Sequence, residues 1–290
     1  MWFFFAFAAA VIAAISVIIS KELLKGVSAS VLTWGQIVLS TPIIALFLFK
    51  EGFPQLGIGF FIATFGSVIV YTLSKILSYK SIRMSDLSLV YPLISLGPVF
   101  TFLVALFPPL SEKPTILSSV GVFVTLTGTY LLNVSAAKEG IFSPVKVLLK
   151  NKAPLLMLAS VIVGSVAIIF DKVAINNTSP RSPIFALFFE NLGISALAPA
   201  LYLRNKSFIL QITSNFKSFL ILGILVAFSS VFAFWAISEG PVGLTATIFR
   251  TQSLYVLLFG FLFLKDRPKR ETLIGSLIMI LGIYLIKAGS

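Results

Sequence analysis

Ten apolar runs, each long enough to cross a hydrocarbon layer as a helix, fill almost the whole chain, at about residues 2–25, 28–49, 55–80, 84–107, 114–134, 152–176, 182–204, 216–239, 242–264 and 270–288. Hydrocarbon offers backbone N–H and C=O groups no water, so continuous apolar runs of this length are satisfied as spanning helices. Composition agrees: 58% of residues are hydrophobic, 11% are charged and the mean hydropathy is +1.05. The longest connection, 135–151, is too short for a soluble domain, so any chemistry lies inside the bundle. The first run lacks a basic leader and a small-residue cleavage site and is kept as the first span. The expected class is an all-α, multi-pass integral membrane protein of the cell membrane.

What is missing narrows the chemistry. The chain has no cysteine and no histidine, which removes disulfides, thiolate metal sites and the commonest metal ligand and proton relay. No metal site and no cofactor are expected. The net charge of +12 is spread over many short loops and forms no single patch, which argues against nucleic acid as a partner and for membrane topology signals. Lys50, Lys113, Lys172, Arg181 and Lys287 fall on the side that holds both termini; apart from Lys75 and Arg250, the remaining basic residues fall on the other. The positive-inside rule then places both termini outside.

Slid along itself, the sequence repeats. Glu112-Lys113-Pro114 aligns with Asp266-Arg267-Pro268, then Gly121 with Gly275, Gly128 with Gly282 and Tyr130 with Tyr284. Ser20-Lys21 likewise pairs with Asp171-Lys172, Ser28 with Ser182 and Gln36 with Glu190. Each repeat holds five spans, 1–134 and 152–290, joined by 135–151. Because five is odd, the second copy enters the membrane from the opposite face, an inverted repeat of the kind that builds secondary transporters around a midplane cavity. Gly121, Thr125 and Gly128 share one face of the fifth span, with Gly275 and Gly282 on the matching face of the tenth, as close helix packing requires.

The paired acid-base-Pro starts and the glycine-spaced helices ending in Gly128-Thr129-Tyr130-Leu131 and Gly282-Ile283-Tyr284-Leu285 resemble the drug/metabolite transporter superfamily, specifically its EamA-like members. Val90-Tyr91-Pro92-Leu93 followed by Gly97-Pro98-Val99-Phe100 resembles that family's fourth helix. The resemblance implies a basket of ten helices, with spans one to four and six to nine around a central cavity and spans five and ten outside it. It also implies termini facing the cytoplasm, opposite to the charge count. The equivalent of Pro92 in the second half lies close to Arg250, where a charge is not the family norm, and this points to a specialised cavity.

Arg250 sits near the middle of the ninth run, with no charged residue closer than Glu239 or Lys265. About eight residues of helix place it roughly 12 Å deep, where a charge costs at least ~2.5–3.5 kcal/mol unless it faces a cavity or a partner. Glu190, about as deep in the seventh span, enters from the same side and is the expected partner. Two uses follow: a salt bridge that fixes the two helices, or a site in which Arg250 receives an anionic group while Glu190 is its counter-ion or a protonatable coupling group. Asp171 is a second coupling candidate. Lys75 either lines the cavity or snorkels to the nearer surface. Gln36 and Gln252 supply hydrogen bonds, as Asn191, Thr33 and Thr251 also can. Trp34, Tyr91 and Trp235, with Tyr71, supply apolar walls or cation-π contacts. Pro92 and Pro98 make the fourth span a hinge candidate.

These residues point to a secondary transporter that moves a small polar metabolite, an amino acid or related organic anion, by alternating access. Its partners are the lipid bilayer, the small-molecule substrate and, through Glu190, protons. An exporter of lipophilic or cationic compounds is the alternative, with the acids as recognition groups. A receptor without transport ranks behind both. No His-Glu-x-x-His, Ser-Lys or paired-aspartate signature lies within the runs, so an enzyme is not expected.

Overall fold

The computed structural model of the chain describes residues 1–85, 90, 93–94, 96–134, 151–202, 207–256, 259 and 270–290. The first half gives α1 (Trp2–Leu23), α2 (Ala29–Glu51), a two-residue strand β1 (Gln55–Leu56), α3 (Ile58–Met84), α4 (Gly97–Ala105) and α5 (Ile116–Val134). The second gives α6 (Lys152–Asn176), β2 (Thr178–Ser179), α7 (Pro183–Tyr202), α8 (Ser207–Ser214), α9 (Phe216–Glu239), α10 (Val242–Phe249) and α11 (Arg270–Gly289). Local chemistry sets several ends. Ser28 Oγ accepts from Val31 N at 3.4 Å to start α2, and Gly52, at φ 75°, ends it in a conformation other residues resist. Pro183 opens α7 at the position where a missing N–H costs nothing.

Among the described residues α1, α2, α3, α6 and α9 are long and apolar enough to cross a membrane, and shorter apolar stretches lie in α5, α7 and α11. Large apolar side chains such as Phe4, Phe49, Phe61, Ile62, Phe65 and Leu277 stand on the outside, as a lipid-facing surface requires. Several elements depart from the sequence reading. The segment between the seventh and eighth spans folds as the short helix α8, whose Gln211 Oε1 accepts from Ser28 N at 2.8 Å. The loops after α2 and α6 pair as an antiparallel ribbon, Gln55 opposite Ser179 and Leu56 opposite Thr178. The ninth span, expected to run unbroken, is interrupted. After α10 the amides of Arg250 and Thr251 bond back three residues, to Thr247 O and Ile248 O, before the helix resumes at Gln252. The fourth span tightens in the same way, with Leu96 N on Leu93 O and Val99 N on Leu96 O.

Packing obeys the repeat. α2 lies on α7, α4 on α10 and α5 on α11, each element against its own equivalent. The cross-pairs are mirrored too: α1 with α9 corresponds to α6 with α3, α2 with α9 to α7 with α3, and α1 with α10 to α6 with α4. Equivalent elements run antiparallel. Gly121 meets Gly282 and Ile286 while Gly128 meets Gly275 and Met279, and Glu51 reaches Ser182 while Trp34 reaches Ser195.

The α5–α11 seam depends on bare backbone. A Cβ on Gly128 would lie 2.3 Å from Met279 N, and one on Gly282 would lie 2.3 Å from Thr125 N. Neither neighbour is a flexible tip that could swing aside. Overpacking of this kind costs ~1–3 kcal/mol or more, so Gly128→Val is expected to lower Tm by several degrees in a thermal melt of the detergent-solubilised protein, whereas Phe123→Ala, on the exposed face of α5, leaves it nearly unchanged.

Candidate functional site

α3 carries the organising stripe. Ser67, Tyr71 and Lys75 recur every four residues, so they stand on one face of the helix. About nine residues from the start of α3, roughly 13 Å along it, Ser67 Oγ lies 2.5 Å from Asp171 Oδ1 of α6 and 2.8 Å from Glu190 Oε1 of α7. All three side chains are buried, Asp171 to 8% and Glu190 to 5% exposure. A serine hydroxyl has one proton to donate, yet two carboxyl oxygens approach it within hydrogen-bond distance. One added proton satisfies the arrangement: one carboxylic acid donates to Ser67 Oγ, and Ser67 donates to the remaining carboxylate. Without it two like charges would face one hydroxyl in a low-dielectric interior.

One and two turns further along α3, Lys75 Nζ stands 5.3 Å from the centre of the Tyr71 ring and 6.0 Å from that of Tyr79. Aromatic faces hold this ammonium, as cation-π geometry allows. Tyr71 is within electrostatic range of both Lys75 and Glu190, and Lys75 is within range of Arg250. Tyr79 OH donates to Gln36 Oε1 at 3.0 Å, which brings α2 to the same stripe. Asn191 Nδ2, beside Glu190, donates to Ser40 Oγ at 3.1 Å.

Arg250 lies where the two interrupted spans cross. Its Nη2 packs on Gly97, so close that a Cβ there would be 2.8 Å away. Gly97 opens α4 with Pro98 in the first turn. Pro98 therefore sits where its missing N–H breaks no internal bond and is not a mid-helix kink; Tyr91 and Pro92 lie outside the described residues. The expected bridge from Glu190 to Arg250 is not made: the ion pairs among the described residues are Met1 with Glu239 and Glu22 with Lys25. Ser67 of α3 stands beside Glu190 and takes its carboxyl, while Arg250 packs on Gly97 of α4.

Other sequence candidates have structural partners. Trp34 Nε1 donates to Ser195 O at 3.0 Å and its ring packs on Phe208 of α8. Trp235 Nε1 donates to Glu51 Oε1 at 3.4 Å, with its ring against Phe5, Phe47 and Phe232, near the termini-side end of α9. Gln252 Nε2 donates to Ala13 O at 3.1 Å and ties the ninth span to α1. Lys172, next to Asp171, turns the other way and donates to Ile237 O, Ser238 O and Gly240 O at the end of α9. Gln36, Lys75, Glu190, Asp171 and Arg250 remain as the polar interior. Sequence reasoning missed Ser67, whose only signal was its four-residue spacing from Tyr71 and Lys75.

A family model for EamA-like transporters matches residues 1–134 and again 151–288. The chain belongs to the EamA-like transporter family. The two matches make it a two-repeat EamA-like protein, and its apolar helices make it a multi-pass membrane protein of a family of transporters. Among curated proteins it is similar to the probable 4-amino-4-deoxy-L-arabinose-phosphoundecaprenol flippase subunit ArnF of Yersinia enterocolitica, 30% identical over 116 residues, which cover 40% of this EamA-like chain and 89% of the relative. A solved crystal structure of another protein superposes on 99% of this chain and 96% of its own with a TM-score of 0.76 at 14% identity, which shows a shared fold.

The Gly97–Arg250 contact yields a clean variant of this EamA-like chain. In Gly97→Ala the methyl group meets the tip of a flexible side chain, so Tm should hold within a few degrees while the guanidinium moves. A thermal melt of the detergent-solubilised variant checks this.

Proposed function

We propose that this EamA-like chain is a secondary transporter of the cell membrane, with ten spans in two inverted repeats, that moves a small polar metabolite bearing an anionic group, an amino acid or related organic anion, by alternating access. The observation that carries the reading is Arg250. A guanidinium rests on the bare backbone of Gly97 at the crossing of two interrupted helices, the type of place where transporters of inverted-repeat design hold substrate. Lys75 adds a second cation within electrostatic range. Of the residues selected from sequence, Arg250, Lys75 and Gln36 are assigned to substrate, and Asp171 and Glu190 to proton coupling through Ser67.

Coupling follows from the shared proton. When α3 and α7 separate, Ser67 can no longer serve both carboxyls, and the proton between them is released to the open side. Transport should therefore respond to an imposed pH gradient. In proteoliposomes, uptake of a labelled amino acid or organic acid is expected to rise several-fold with the gradient in the wild type. Asp171→Asn and Glu190→Gln should keep exchange between the two faces but lose the gradient response, and Arg250→Gln should lose both. Uptake in Arg250→Gln at the wild-type rate would remove the anion assignment.

A second reading has its own observation. An apolar groove between α3 and α7, lined by Phe60, Phe61, Thr64, Phe65, Val68, Phe189, Gly193 and Ala196, runs along the outside directly beside Ser67 and Glu190 in sequence. A lipid-borne polar head could use it, and the ArnF relative is named as a flippase subunit for such a compound. Competition distinguishes the two: free carboxylates stabilise the protein against heat under the first reading, and amphipathic lipid phosphates under the second.

A further inference from the structure

The end of the bundle that holds both termini is tied by two carboxylates that cross from the first repeat to the second. Glu51, the last residue of α2, accepts from Ser182 Oγ and, at 3.3 Å, from Ile184 N, so it caps the start of α7. Its other oxygen takes Trp235 Nε1 of α9. Glu112, in the connection between α4 and α5, accepts from Val242 N at 2.5 Å and Gly243 N at 3.3 Å, so it caps the start of α10. The first-turn amides of a helix have no internal partner and carry the positive end of its dipole, which makes each helix start an apt receiver for a carboxylate. Neither α7 nor α10 carries an acid of its own in its first turn; both borrow one from the other repeat.

The surroundings fit a mouth that shuts. The β1–β2 ribbon joins the repeats beside these caps, and Gly57 N bonds Asn177 O at 3.0 Å. Beneath them lies the largest buried apolar cluster, to which the first repeat contributes Ile44, Phe60 and Ala63 and the second Ile184, Phe234 and Val242. Burial pushes the Glu112 carboxyl above its ordinary range, while the two amides and the Lys172 ammonium pull it back. That ammonium belongs to α6, one residue from Asp171, so one helix carries both Asp171 and the cation beside the Glu112 cap.

We propose that Glu51 and Glu112 are gating residues of the termini-side mouth: each carboxylate, carried by one repeat, holds that mouth shut by capping a helix of the other, and both caps release for substrate to pass. This rests on the alternating-access reading of the same molecule. The two helices so held, α7 and α10, are those that carry Glu190 and lead into Arg250, so a released cap moves the groups assigned to proton and substrate.

The absence of cysteine from the sequence makes the test direct. A reporter, Ile44→Cys, lies fully buried under the caps and should react slowly with a membrane-impermeant maleimide in proteoliposomes. Glu51→Ala or Glu112→Ala on that background should raise the labelling rate about tenfold, the scale of a lost helix cap. Glu51→Gln and Glu112→Gln keep an acceptor oxygen and should fall between; they also serve if an alanine variant does not fold. A parallel pair, Gln55→Cys with Ser179→Cys, places two thiols at directly opposed ribbon positions, a spacing a disulfide can bridge. Oxidation should stop uptake and reduction restore it. Wild-type labelling in all four glutamate variants, with uptake still stopped by the oxidised pair, would overturn the gating role and leave alternating access standing. Uptake at the unlocked rate in the oxidised pair would overturn both.

Discussion

One hydroxyl proton and two carboxyl groups define the interior of this protein. Ser67 stands between Asp171 and Glu190, on helices from both repeats, at a depth where water cannot screen a repulsion between them. Burial makes an unsatisfied acid costly, so the Ser67 hydroxyl between Asp171 and Glu190 ties α3 to α6 and α7. The rest of the polar interior is ordered around that layer. Tyr71 and Lys75 follow on the same face of α3, Gln36 joins through Tyr79, and Asn191 joins α2 from the residue next to Glu190.

Charges are then sorted by position. The acids lie toward the termini-side end, where Glu51 and Glu112 also tie one repeat to the other. The two cations of the interior take other neighbours: Lys75 lies over the Tyr71 and Tyr79 rings, and Arg250 packs on Gly97. Small residues set the close contacts: Gly97 gives Arg250 room where α4 meets α10, while Gly121, Gly128 and Gly282 let α5 pack backbone to backbone on α11.

Much of the architecture could be read from the letters. The repeat of Glu112-Lys113-Pro114 at Asp266-Arg267-Pro268 and the shared glycine spacing announced two related halves, and the glycines pack as close-approach residues should. That Glu190 and Arg250 are interior residues was legible, because each falls well inside an apolar run. Their pairing was not, because depth says nothing of which side of the helix faces a neighbour, and Ser67 came from a third element. Trp34 and Trp235 illustrate the same gap: an indole that could line a cavity looks identical in sequence to one whose N–H is spent on Ser195 O or Glu51. The caps by Glu51 and Glu112 were invisible because a helix and the acid that caps it come from different repeats, far apart in sequence. The breaks had local signals, Gly97-Pro98 beside Leu96 and the polar run Arg250-Thr251-Gln252-Ser253 in the ninth span, but length and hydropathy alone read both runs as continuous.

Infrared difference spectroscopy tests the proton shared at Ser67 without a known substrate. At neutral pH the protein should show the C=O stretch of a protonated carboxylic acid from this site, reduced in Asp171→Asn and Glu190→Gln and shifted in Ser67→Ala, where the bridging hydroxyl is lost. A wild-type spectrum with no protonated carboxyl band, or one that none of these three substitutions alters, would contradict the account.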